Sequence, residues 1–125
     1  MELWILMLIL NLLIPLSMIL FGNHFIKAPP DEINRVFGYR TTMSMKNRDT
    51  WVFAHWYCGR LWRIIGFILL IVSAAIFFML GRDAETVGIF GGVLCGVQLI
   101  CMIVPVFFTE KALRATFDRH GSRKL

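Results

Sequence analysis

The side chains in this chain that could do chemistry are Arg40 and His55. A histidine can act as a general acid or base and an arginine can clamp an anionic headgroup, so the two would suit an enzyme acting on lipid headgroups. Such a reaction also needs a nucleophile or a metal ion, and neither is apparent in the sequence. The other candidates are scattered, with no ligand spacing: Cys58, Cys95, Cys101, His24 and His120. We therefore expect no catalytic residue, no metal site, no disulfide and no cofactor.

The composition is typical of a membrane protein. Of the 125 residues 58% are hydrophobic and 17% are charged, and the mean hydropathy is +0.69. Soluble domains average about 45–50% apolar and about 25% charged residues. These values exclude a disordered or ordinary soluble protein and favour a single membrane domain over residues 1–125.

Three apolar stretches are each about as long as a helix needs to cross a bilayer core. They cover residues 3–21, 64–80 and 87–108, and a helical pattern extends the second one N-terminally. We predict an all-α integral membrane protein with three transmembrane helices, a long loop at 22–63 and a tail at 109–125. The first span is expected to be retained, because it lacks a positively charged leader and a small-residue cleavage site.

Basic residues are distributed very unevenly between the two sides of these spans. Seven lie in the long loop, five in the tail and one, Arg82, between the second and third spans. Because positively charged loops stay in the cytoplasm, we predict that the N-terminus is outside and that the loop and the C-terminus are cytoplasmic. The net charge of +5 then suits contact with anionic headgroups. Nucleic-acid binding is not expected, since no recognised motif surrounds the basic residues.

Two patterns of small residues predict how the spans pack. They recur every four positions in the third span (Gly88, Gly92, Gly96) and every seven in the second (Gly59, Gly66, Ser73). Such spacing lets helix backbones approach closely. The two seams could face each other, or the strip on the third span could join two copies as a homodimer, and the sequence leaves both open.

One polar residue lies near the middle of each span: Asn11, Ser73 and Gln98. Unpaired amides are costly in a bilayer, so we expect the three to meet in one polar cluster that holds the helices together. The apolar cores contain no charged residue and no histidine, which disfavours an ion or proton pathway.

The long loop is expected to be folded, because it carries apolar and aromatic residues at helical spacing. One short amphipathic helix is predicted from Pro30 to Phe37, ended by Gly38 and lying on the membrane surface. Ser44 is predicted to cap a second helix that runs into span two. Four residues would lie along one side of it: Trp51, His55, Cys58 and Trp62. Its aromatic residues would form an interfacial belt: Trp51, Trp56, Tyr57 and Trp62.

The tail predicts one more short amphipathic helix, over residues 109–120. Leu113 and Phe117 would face the membrane, and Gly121 would end the helix. The basic end, residues 119–124, is expected to be solvated or bound to headgroups.

The segment from Asn34 to Thr41 and the residues after it resemble the signature of the SdpI-like family of bacterial membrane proteins. The matching positions are Asn34, Gly38, Tyr39, Arg40, Thr41, Ser44, Asn47, Trp51, His55 and Gly59, followed in the tail by Thr109, Glu110, Lys111, Ala112, Leu113, Phe117, Asp118 and Gly121. The pair Thr42-Met43 departs from the pattern, since many relatives have a proline or a basic residue there. The resemblance covers most of the chain and implies a multi-pass protein of the bacterial plasma membrane with an immunity role, and it does not imply an enzyme.

Three functional classes follow. The leading hypothesis is immunity to a secreted membrane-active antimicrobial peptide or toxin, by binding or shielding. The alternative is a signalling module that sequesters a soluble regulator, and the least favoured class is a lipid-headgroup enzyme. We also expect Arg40 to pair with Glu110, because both lie at the same membrane end.

Overall fold

The computed structural model describes residues 2–29, 33 and 38–124, and this part of the chain forms three helices. Helix α1 spans Glu2–Lys27, α2 spans Arg48–Met79 and α3 spans Ala84–Thr116. Each helix is long and apolar enough to cross a membrane. The predicted all-α class with three transmembrane helices is therefore confirmed.

The short amphipathic helices are a different matter. The helix predicted from Pro30 to Phe37 falls almost entirely on residues that the structure does not describe. The separate tail helix is wrong, because α3 continues without a break to Thr116. After Phe117 the chain turns back on itself, and an isolated bridge joins Phe117 to Arg123. We call residues 117–124 the strap.

Helix α2 begins three residues later than predicted. Asn47, and not Ser44, is its N-cap: Asn47 Oδ1 accepts from the backbone N–H of Thr50 at 2.9 Å, and Thr50 Oγ1 accepts from the N–H of Asn47 at 3.1 Å. This reciprocal pair satisfies two amides at the helix start. At the other end of the bundle, Asp83 caps α3 by accepting from the N–H of Thr86 at 3.0 Å.

The closest approach between helix backbones is that of α1 and α2. A methyl group added at Gly22 would lie 2.6 Å from the carbonyl oxygen of Gly59, and one added at Gly59 would lie 2.7 Å from that of Gly22. Further along, a methyl group at Gly66 would lie 2.9 Å from the carbonyl oxygen of Pro15. The small residues of α2 therefore receive the backbone of α1, which is how such residues promote packing where water supplies no driving force.

Of the two alternatives for the small-residue seams, the one in which they face each other is wrong. Added methyl groups at Gly88, Gly92 and Gly96 would meet nothing within 4 Å, so this strip faces outward. The glycine of α3 that packs inward is Gly91, whose added methyl group would meet the side chains of Met7 and Phe77. The homodimer alternative stays a prediction.

The structure brings Asn11, Ser73 and Gln98 together in the buried centre of the bundle. Gln98 Nε2 donates to the backbone oxygen of Asn11 at 2.7 Å and to Ser73 Oγ at 2.8 Å. The Asn11 amide donates within its own helix, to the oxygen of Met7 at 2.9 Å. One glutamine from α3 thus ties all three helices at the depth where a lost hydrogen bond costs most.

The two ends of the bundle differ in construction. At the end with the α2–α3 turn, Trp4 Nε1 donates to the oxygen of Phe77 at 2.9 Å, and the guanidinium of Arg82 lies 3.6 Å from the Trp4 ring centroid. The opposite end carries the turn at residues 38–47 and the strap, and we call it the loop end.

The glycine contacts generate a test of helix packing. Gly59→Ala should lower the free energy of unfolding by about 1–3 kcal/mol, because the methyl group cannot fit against the backbone of Gly22. Gly92→Ala is the matched control, and should be neutral or stabilising by up to about 1 kcal/mol, since alanine favours the helix and the position is open. Unfolding titrations in detergent micelles measure both. Equal losses in the two variants would contradict the assigned packing.

Candidate functional site at the loop end

The residues of the sequence signature converge at the loop end, beginning with a tight turn. Gly38 has a φ of 111°, a conformation that residues with a Cβ rarely adopt, and it directs the chain inward at Tyr39. Behind it, Ser44 Oγ accepts from the N–H of Thr41 at 2.9 Å, and Thr41 Oγ1 accepts from the N–H of Ser44 at 3.2 Å. Ser44 therefore closes the turn, while Asn47 starts the helix.

Tyr39 joins this turn to two helices. Its backbone N–H donates to His55 Nε2 of α2 at 2.9 Å, and its backbone oxygen accepts from Ser44 Oγ at 2.9 Å. Its hydroxyl lies 2.8 Å from Glu110 Oε1 and 3.2 Å from the backbone oxygen of Val106, both on α3. One buried residue thus holds the turn against α2 and α3 at once.

His55 is fully buried, and both of its ring nitrogens are engaged by the main chain. Nε2 accepts from the Tyr39 N–H, so it carries a lone pair, and Nδ1 lies 2.7 Å from the oxygen of Trp51, to which it must donate. This arrangement requires the neutral ring with its proton on Nδ1. The ring also packs edge-on against Phe25 of α1, with centroids 4.8 Å apart. His55 is therefore a joint between the turn, α1 and α2, and it has no nitrogen left for acid–base chemistry.

Glu110 receives a different partner from the one predicted. In the described part of the chain, the group that reaches its carboxylate is the Tyr39 hydroxyl, whereas the side chain of Arg40 is exposed. The pKa of Tyr39 is raised above its usual range, mainly because the phenol is buried and also because it forms a hydrogen bond with Glu110. The hydroxyl therefore keeps its proton and remains a donor. The predicted Arg40–Glu110 pair is not the contact that forms at this carboxylate.

A small apolar core lies behind Tyr39. It contains Ala54 and Cys58 of α2 with Leu113 of α3 and Phe117 at the start of the strap. Leu113 and Phe117 were expected to face the membrane, and that expectation is wrong, because Tyr39 and α2 cover them. Trp51 is also fully buried, so it does not belong to the predicted interfacial belt.

The strap packs against the start of α2 at the loop end, and the sequence did not predict this contact. Asn47 Nδ2 donates to the oxygen of Gly121 at 2.8 Å, and Gly121 has a φ of 88° that suits a sharp turn. Arg123 makes a two-pronged contact with Asp49, at 2.8 and 3.0 Å. Two sequence features could have indicated the strap. The side-chain NH2 group of Asn47 can donate a hydrogen bond while its oxygen caps the helix, and Gly121 lies close to the end of the chain.

The remaining candidates divide into exposed and undescribed residues. Arg40 lies exposed beside the buried Tyr39, and Asn34 lies outside the described residues. The described part of the chain has no group of three or more His, Cys, Asp or Glu side chains that could hold a metal ion. Chemically, the loop end is a hydrogen-bonded scaffold that presents an exposed cationic surface.

Comparison with known proteins places the chain in a family. A model of the SdpI/YfhL protein family matches residues 31–109, which is more than half of the chain. The chain belongs to the SdpI/YfhL family. No curated protein and no solved structure matches it.

The family match covers the turn, α2 and most of α3. Tyr39, His55 and the centre of the polar cluster on α3 therefore lie inside it. Glu110 and the strap lie beyond its end, although they pack directly on matched residues. In this SdpI-family chain the loop end is completed by residues beyond the matched range of 31–109.

The first test of the site removes one oxygen atom. Tyr39→Phe should lower the free energy of unfolding by about 1–3 kcal/mol, since Glu110 and the oxygen of Val106 lose their donor. Tyr57→Phe is the matched control, at a half-buried tyrosine of α2 whose ring stacks on Phe53. A double-mutant cycle with Glu110→Gln measures the coupling. Equal effects at the two tyrosines, or zero coupling, would reject the contact.

The second test concerns the protonation of His55. Nitrogen-15 NMR of histidine-labelled protein at neutral pH should show one neutral ring with its proton on Nδ1, because Nε2 faces a backbone donor. His24 and His120, both exposed, provide the comparison within the same sample. An imidazolium spectrum for His55, or a proton on Nε2, would contradict the geometry.

Proposed function

We propose that this SdpI-family chain is a membrane immunity protein that protects a bacterial cell against a secreted membrane-active peptide or toxin, by binding or shielding. Family membership supports an immunity-type membrane protein in general. The observation that carries the mechanism is that Tyr39 forms hydrogen bonds with both His55 and Glu110. These contacts favour a rigid binding platform over catalytic turnover.

The placement in the membrane follows from charge. We propose that the loop end is cytoplasmic and that the short turn around Arg82 is outside, because 12 of the 13 basic residues belong to the loop and tail. A secreted peptide that enters the bilayer would then meet the outward faces of the helices before it reaches the loop end. Exposed apolar side chains on all three helices, such as Leu20, Ile71 and Phe107, suit contact with lipid or with an apolar peptide.

A signalling role is the second candidate. Arg40 is exposed next to a turn that is anchored through Tyr39, so a change in helix packing would be transmitted to a surface that a soluble regulator could contact. A headgroup enzyme using His55 is not proposed, because that ring is buried and both of its nitrogens are bonded to the main chain.

The test is survival of a toxin-sensitive bacterial strain that expresses the chain and is challenged with a panel of secreted membrane-active peptides. The wild-type chain should raise survival against at least one peptide relative to an empty vector. Arg40→Ala and Lys111→Ala, at matched membrane abundance, compare an exposed cation of the turn with an exposed cation of α3.

The outcomes separate the candidates. Protection that is lost in Arg40→Ala and kept in Lys111→Ala places the loop end in the mechanism, and protection kept in both assigns the contact to the helices. Absence of protection by folded wild-type protein in the membrane would contradict the immunity proposal. Pull-down of a soluble protein from toxin-treated cells alone would then favour signalling.

A further inference from the structure

A cavity of about 460 Å³ opens at the loop end between the turn and the strap. Met43 and Phe117 supply its apolar lining. Four cationic side chains also line it: Lys46, Arg114, Arg119 and Lys124. The proposed immunity role makes no use of this cavity.

The four cations come from separate parts of the chain. Lys46 belongs to the turn, Arg114 to the last helical residues of α3, and Arg119 and Lys124 to the strap. Like charges repel, so the fold gathers them only because other contacts hold their backbones in place. Three of them lie within residues 114–124, and the tertiary structure brings Lys46 to them from the turn.

Those backbone contacts are well defined. The strap is attached to α2 through Asn47 Nδ2 and the oxygen of Gly121, 2.8 Å apart. The N–H of Lys124 donates to the oxygen of Thr116 at 2.9 Å, and its Nζ lies 2.7 Å from the oxygen of Arg114. The strap and the Lys124 ammonium group are thus positioned before any ligand arrives, which lowers the entropy cost of binding one.

Within the described part of the chain, acidic side chains do not balance the charge of this cavity. Asp118 is the acidic residue that lines it, and hydrogen bonds from the amides of Ser122 and His120 hold the pKa of Asp118 below its usual range. The ion pair that the structure shows among the described residues joins Arg123 to Asp49 and includes none of the four cations. Four positive charges against one negative charge leave a net charge of +3 in the cavity.

Guanidinium and ammonium groups converging on one space are suited to phosphate oxygens, because arginine binds phosphate through two parallel hydrogen bonds and lysine acts as a point charge. We propose that this cavity is a binding site for a phosphate group, held by Arg114, Arg119, Lys46 and Lys124, with Met43 and Phe117 against the uncharged part of the ligand. The phosphate comes either from an anionic lipid headgroup or from a soluble phosphate compound.

Both sources can reach the cavity. Arg114 lies six residues beyond Phe108, an exposed phenylalanine of α3, which is about 9 Å along the helix. The headgroup layer extends about 5–8 Å beyond the hydrocarbon core, so the Arg114 side chain can reach it, while the strap reaches further into water. The inference does not depend on the immunity proposal.

The experiment uses the full chain in nanodiscs of two compositions, phosphatidylcholine alone and phosphatidylcholine with phosphatidylglycerol. NMR of the arginine Nε–H groups reports Arg114 and Arg119 directly, and sodium pyrophosphate is titrated into each disc. The double variant Lys46→Gln/Arg119→Gln removes two of the cations. Lys111→Gln is the control, because it removes an exposed charge of α3 that lies outside the cavity.

Shifts of the Arg114 and Arg119 signals on adding pyrophosphate to neutral discs identify a soluble phosphate ligand. Shifts that require phosphatidylglycerol identify a headgroup. In either case the double variant should bind at least about tenfold more weakly and Lys111→Gln should bind as the wild type does. Equal weakening by the double variant and Lys111→Gln, or no shift in any disc, would overturn the site. A far-UV spectrum and a melting temperature like those of the wild type verify that each variant is folded.

Discussion

The loop end depends on Tyr39, because this one residue satisfies polar groups on three different segments. Its N–H completes the hydrogen bonding of a histidine on α2, its oxygen closes the turn through Ser44, and its hydroxyl reaches Glu110 on α3. A buried donor or acceptor without its partner costs about 1–3 kcal/mol, so the three contacts stabilise one another. The strap then packs against this assembly through Asn47, whose oxygen caps α2 while its amide holds Gly121.

Inside the bundle, a different constraint applies. Lipid removes the hydrophobic drive for one apolar helix to join another, so association depends on close fit and on polar contacts. The backbones of Gly22 and Gly59 supply the close fit between α1 and α2, and the Gln98 amide supplies hydrogen bonds to the other two helices. The bundle is therefore joined tightly at both its centre and its loop end, which suits a platform for binding.

The motif residues illustrate why residue type alone is a weak guide to function. A histidine near an arginine suggests acid–base chemistry, yet the ring of His55 serves as an acceptor for one backbone amide and a donor to one backbone oxygen. Arg40, next to the buried Tyr39, is a signature residue that the fold leaves exposed. The buried motif residues accordingly form the scaffold that holds the turn in place.

The sequence by itself determined the class, the number of helices and the residues of the polar cluster, because helix length, hydropathy and residue depth are local properties that each span carries alone. It also identified the family signature before the geometry was known. Tertiary structure decided which side of each helix turns inward: it buries Gly91 and leaves Gly88 and Gly92 outside, and it covers Leu113 and Phe117 with the turn. An apolar face looks the same in sequence whether lipid or protein covers it, so period and hydropathy cannot separate the two. The same reason explains the loop end, where Glu110 meets Tyr39 and Lys46 shares one cavity with the cations of residues 114–124, since contacts between remote segments are set by how the whole chain packs.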